Sequence, residues 1–192
     1  FTYRFSFEPN SAADMACLAV GRHLTDPITF ARWSIGFGIS GFILSVMILH
    51  RVLHGHWSIW PLASGLLVYN ATLIWGFENF YLSVPLVFLG IAIWITQRPH
   101  SALARLLTTL AVSILLYLCH AQALLAYAII VCSIEAGACL RRGRPDLTGV
   151  NWIGLAVVCA VCVGYAAVLA FGEEAGYGDA TRFGTLQERS EI

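Results

Sequence analysis

The 192-residue chain contains no lysine and little charge of any kind. Only 11% of its residues are charged, whereas soluble domains carry about 25%. Hydrophobic residues make up 58% and the mean hydropathy is +0.75. This composition excludes an ordinary soluble domain and implies a polytopic membrane protein. All eleven basic residues are arginine, a bias that fits a GC-rich coding sequence and carries no mechanism. The formal net charge is zero and no arginine-rich block of the needed length is present, so nucleic acid has no electrostatic reason to bind. A P-loop, a nucleophile elbow, an HExxH pair and a dinucleotide fingerprint are all lacking, which leaves soluble-enzyme chemistry no foothold. The first thirty residues lack a basic segment followed by an apolar one, and the chain opens on Phe1. Its natural start is therefore expected upstream.

Six cysteines (17, 119, 132, 139, 159 and 162) lie mostly within apolar runs, where cysteine behaves as a small hydrophobe. Cys159 and Cys162 form a CxxC with no basic neighbour or helix start to activate a thiol, so a structural role is expected.

A membrane helix needs about 20 apolar residues. Four runs meet this at once: 32–49, 60–77, 80–96 and 151–171. The stretch from Ala102 to Leu140 as one helix would reach about 55 to 60 Å, about twice the hydrocarbon thickness. It must break, and "CHAQ" (119–122) is the place, because His120 and Gln122 are the strongly polar side chains between Arg105 and Glu135. The fold class is thus all-α, a polytopic transmembrane bundle of six spans. Residues 1–31 form an extracytoplasmic segment, 32–171 the bundle, and 172–192 an extracytoplasmic polar tail. Six spans also put Arg51, Arg98, Arg105, Arg141, Arg142 and Arg144 on one face, as the positive-inside rule asks of the cytoplasmic side. Within the first segment, Ser11 as N-cap with Asp14 three residues on predicts a short interfacial helix. Asp26 and Pro27 then open the helix that becomes the first span.

This threading gathers Glu78, Asn79, His120, Gln122 and Asp14 at the extracytoplasmic surface. Trp75, Phe77, Phe80 and Tyr81 bracket the acid with rings suited to the membrane interface. Two readings stand side by side. Glu78 is a solvated residue of a helical hairpin anchored by aromatics, or the turn dips toward the bilayer, where an ionisable group usually marks a site. In the second reading a carboxylate with a nearby imidazole serves as a base, binds a divalent metal or holds a sugar hydroxyl. His120 likewise either caps backbone carbonyls or takes part in a site. Asn70, mid-span, reads as an interhelical hydrogen-bonding residue. Glu135 reads as structural, snorkelling or pairing with Arg141 or Arg142. His50 and His54 have a spacing that can hold a metal, but no carboxylate or cysteine lies beside them. No metal ligand set is therefore assigned.

The stretches "WPLASGLLVYNATLIWGFENFYLSVPLVFLGIAIW" and "LLYLCHAQALLAYAIIVCSIE", with "YRFSFEPNSAAD" and "HRVLHGHWSIWP" upstream, resemble a group of bacterial multi-pass membrane proteins over roughly residues 3–140. That group in turn looks like the GT-C superfamily of glycosyltransferases that use polyprenyl-phosphate-linked sugars. The resemblance implies an inner-membrane protein whose site faces the periplasm, a lipid-linked sugar as donor, and a catalytic acid in the first extracytoplasmic loop. That loop falls upstream of Phe1. The group commonly carries an apolar residue where this chain has Glu78, so the resemblance does not mark Glu78 as that acid. It implies instead that Glu78, Asn79, His120 and Gln122 line the donor or acceptor groove, with Trp75 and Tyr81 stacking on a sugar or a polyprenyl chain. The rival expectation is a membrane scaffold or transport subunit for envelope polymers, which needs no carboxylate at that face.

Overall fold

The computed structural model describes Ser11, Ala12, Met15 and residues 27–67, 78–141 and 150–171. Among these residues every regular element is a helix: α1 (Pro27–His54), a 3-10 helix (Trp60–Leu67), α2 (Glu78–Thr96), α3 (Ala102–Cys119), α4 (Ala121–Arg141) and α5 (Trp152–Phe171). Four of them, α1 to α4, are long and apolar enough to cross a membrane. At 1.5 Å per residue α2, α3 and α4 reach about 27 to 32 Å, close to the hydrocarbon thickness of about 30 Å. The 20-residue α5 is equally apolar in sequence. Large apolar side chains face outward along these helices, including Phe37, Leu44, Leu125, Ile129 and Val163. A water-soluble fold would bury such a surface, whereas lipid covers it.

Local signals set the helix ends. α1 begins at Pro27, whose missing N–H costs nothing in a first turn. Ser101 caps α3, its side chain accepting from the Ala104 N–H at 3.3 Å. Asn151 does the same for α5 through Gly154 at 3.1 Å. The long apolar stretch breaks where the polar residues predict it: α3 ends at Cys119, His120 is extended, and α4 starts at Ala121.

Contacts fix the direction of each helix. Gly38 and Gly41 of α1 meet Tyr81 and Pro85 of α2, and the Phe42 and Phe88 rings meet edge to face with centroids 5.8 Å apart. These pairs ascend together, so α1 and α2 run parallel. After α1 the 3-10 helix runs back beside it, with Gly65 against Ile43. Residues 60–67 therefore differ from the α-helical span expected of 60–77. Pro61, the buried residue of this element, offers no N–H, and the Leu62 N–H bonds back three residues to Ile59 at 3.0 Å. Residues 68–77 lie outside the described residues. α3 runs opposite to α2, since Gly90 meets Val112 and Gln97 meets Thr108. α4 is parallel to α2, with Trp94 level with Tyr127 and Glu135. α5 is antiparallel to α4, starting beside Trp94 and ending beside Tyr117.

α2 is the central helix and its neighbours approach closely. Trp94, Leu116, Leu124, Tyr127, Val131 and Val158 form the core where α2 to α5 meet. Lipid is as apolar as leucine, so burial from water does not drive these contacts; close packing does, and small residues allow it. A Cβ on Gly90 would lie 2.8 Å from Val112 Cγ1, and one on Gly154 would lie 2.6 Å from the Trp94 ring. Ser45, Ser83 and Ser113 are wholly buried for the same reason. Ser45 and Ser83 turn their hydroxyls back onto the carbonyls of Phe42 and Phe80.

Candidate functional site

The bundle has two polar ends. One holds the start of α2 and the break between α3 and α4. Phe80 of α2 lies edge to face with the His120 imidazole, centroids 5.1 Å apart, so the two segments singled out in the sequence meet. His120 is a double cap. Its N–H donates to the Leu116 carbonyl at 2.8 Å and closes α3. Its Nδ1 accepts from the Gln122 N–H at 3.2 Å, and its carbonyl accepts from Ala123 at 3.0 Å and Leu124 at 3.3 Å, opening α4. An accepting Nδ1 is unprotonated, which places the neutral ring's proton on Nε2. Partial burial pushes the imidazole pKa below its ordinary value, in keeping with that tautomer.

Beside this break a cleft of about 240 Å³ opens between α4 and α5. Leu124, Leu125, Cys162 and Ala166 give it apolar walls, and Gln122 and Tyr165 supply its polar groups. The Tyr165 ring is braced by Tyr117 at 5.7 Å.

The other expected residues are placed less uniformly. Glu78 begins α2, but its side chain lies outside what is described. Asn79 is half-buried in the first turn. Tyr81 is 4% exposed and packs on Gly38, so its ring belongs to the α1–α2 contact. Asp14, Asn70 and Trp75 lie outside the described residues, as does most of the predicted N-terminal helix. There the Met15 N–H donates to the Ser11 carbonyl at 2.9 Å, a helical spacing.

The opposite end carries a buried polar layer that the sequence did not reveal. Glu135, 2% exposed, accepts from Trp94 Nε1 at 2.8 Å and from Arg98 at 2.9 Å, both on Oε1. Arg98 is thus a partner of Glu135 among the described residues; the Arg141 and Arg142 side chains, expected to pair with it, lie outside them. The other carboxylate oxygen, Oε2, is buried without a partner, and so is Asn151 Nδ2 on the far side of the Trp94 ring. Gln97 extends the layer to Thr108 at 2.7 Å and Thr109. The available signal was the four-residue spacing of Trp94, in the last turn of α2, and Arg98, in the turn that follows it, which lets an indole donor and a guanidinium reach one acceptor.

Among the described residues no group of three His, Cys, Asp or Glu side chains is arranged to hold a metal ion. The chain matches no family model, no curated protein and no solved structure.

Proposed function

We propose that this chain is part of a bacterial inner-membrane glycosyltransferase of GT-C-like architecture, moving a sugar from a polyprenyl-phosphate donor at the periplasmic face. In this reading the six-span threading holds and both ends of the chain are extracytoplasmic. Glu78, Asn79, His120 and Gln122 contribute to the rim of the donor or acceptor groove. The observation that supports it best is the meeting of Phe80 with His120, which brings two distant polar segments together beside an apolar cleft. Lipid-linked substrates need that pairing of a hydrocarbon slot with a polar rim at one membrane face.

The experiment withdraws the donor. Isolated membranes containing the full-length protein are expected to lose sugar transfer when polyprenyl-phosphate sugar is removed and to regain it on addition. A phenotype that persists without the donor refutes the enzyme. A second reading, a scaffold or transport subunit for envelope polymers, is favoured by the capping work of His120. Its N–H, carbonyl and Nδ1 are all engaged within the fold.

A further inference from the structure

At its C-terminal end α1 stops on His54, and Gly55, with φ 77° in the left-handed region, turns the chain back. His56 thereby joins His50 and His54. The three imidazoles are mutual neighbours, with centroids 4.4, 5.8 and 6.3 Å apart. His50 Nδ1 is buried without a partner, and Arg51 stands exposed next to it. Residues 27–77 contain no aspartate or glutamate. The 3-10 helix packed along α1 brings no charged or titratable side chain. From α2 and the turn after it, the charged and titratable residues at this end are Arg98, committed to Glu135, and His100. Trp57, Ile59 and Trp60 flank the cluster and are all more than half exposed. Rings of this kind settle at headgroup depth.

We propose that the corner formed by His50, Arg51, His54 and His56 binds the phosphate headgroup of an acidic phospholipid, more tightly as the imidazoles protonate. Protonated rings this close repel one another unless an anion lies among them, and Arg51, the residue after His50, adds a permanent charge at the same helix end. The flanking tryptophans favour a lipid headgroup over free phosphate, because they hold the corner at the depth where headgroups lie. An anion also fits better than a metal, since among the described residues no ligand set for a metal is formed.

The test places the full chain in nanodiscs of mixed phosphatidylglycerol and phosphatidylcholine and reads co-purified lipid by native mass spectrometry. Measurements are made at about pH 5.5 and about pH 8. Phosphatidylglycerol retention should rise on acidification by about fivefold per protonated imidazole, the contribution of one surface cation. His50→Gln/His54→Gln/His56→Gln should abolish the rise, and Arg51→Gln should lower retention at both pH values. The exposed His56→Gln alone should lose about a fivefold share and serves if the triple variant does not fold. Retention independent of pH, or a rise that survives the triple substitution, overturns the proposal. So does retention that depends on added zinc, or that glycerol phosphate in solution abolishes.

Discussion

Removing either partner of the Arg98–Glu135 pair should have unequal consequences, because the two are unequally buried. The Glu135 side chain is 3% exposed and that of Arg98 is 39% exposed. Arg98→Ala leaves a carboxylate in the bundle with the Trp94 indole as its donor. Stranding a buried charge costs up to about 3 to 5 kcal/mol where the whole pair is buried, and the exposure of Arg98 puts this case toward the lower end. Glu135→Ala leaves a guanidinium that reaches solvent or headgroups, and orphans the Trp94 Nε1 of a fully buried ring. An unsatisfied buried donor costs about 1 to 3 kcal/mol, and hydrogen bonds in membrane bundles lie toward the low end, averaging about 0.6 kcal/mol. Glu135→Gln keeps an acceptor for Trp94 and should cost least. It follows that Arg98→Ala/Glu135→Gln is more stable than Arg98→Ala alone, because the stranded charge is gone. The assay is unfolding in mixed micelles by added denaturing detergent, followed by helical circular dichroism. A larger loss for Glu135→Ala than for Arg98→Ala, or no rescue in the double variant, would refute the reasoning.

Gly154→Ala should destabilise the bundle by about 1 to 3 kcal/mol in the same assay, since overpacking forces the neighbours to shift; the new methyl meets the Trp94 ring at 2.6 Å and Asn151 Nδ2 at 2.7 Å. Gly164→Ala, with nothing within 4 Å of the new atom, should be neutral or slightly stabilising. His120→Ala removes a side-chain cap and should cost about 0.5 to 2 kcal/mol, with His120→Asn retaining most of it. Because burial lowers the His120 pKa in the folded state, the imidazole's contribution is fully present above the unfolded value of about 6.5 and is lost as pH falls below it. Acidification should therefore lower the protection factor of the Gln122 amide, its exchange measured against the intrinsic rate at each pH, in wild type, an effect absent in His120→Asn. If the α4–α5 cleft seats the donor's hydrocarbon chain, Ala166→Phe should raise the KM for donor with kcat and thermal stability unchanged; a fall in kcat alone would place the donor elsewhere.

The all-helical class and two helix boundaries were legible, the boundaries where one residue type had a single physical use. Pro27 opens α1 because proline fits a first turn, and His120 with Gln122 marks the break because nothing else polar interrupts a run too long for one crossing. From the same break came the meeting of the α2 start with His120, since alternation of direction puts both at one end. The backbone of residues 60–67 was not legible. Their apolar content suits an α-helix and a 3-10 helix equally, and composition does not distinguish them. Nor was the partner of Glu135. Arg141 and Arg142 are near in sequence and their side chains lie outside the described residues, whereas α2 runs parallel to α4 and brings Arg98 level with the acid. That choice depends on which helices are neighbours, information that no local pattern carries. The three histidines were visible as a spacing of two, and only the left-handed turn at Gly55 shows that the third folds back to join them.

The arrangement with His120 and the start of α2 at one membrane face, and His56 at the other, is tested most directly by cysteine labelling in a cysteine-free background. Gln122→Cys and Asn79→Cys should react together with an impermeant reagent added to one side of sealed vesicles, while His56→Cys and Ser101→Cys react only from the other side. Labelling of Gln122→Cys and His56→Cys from the same side would contradict the threading, and with it the assignment of the His120 cleft and the histidine corner to opposite faces.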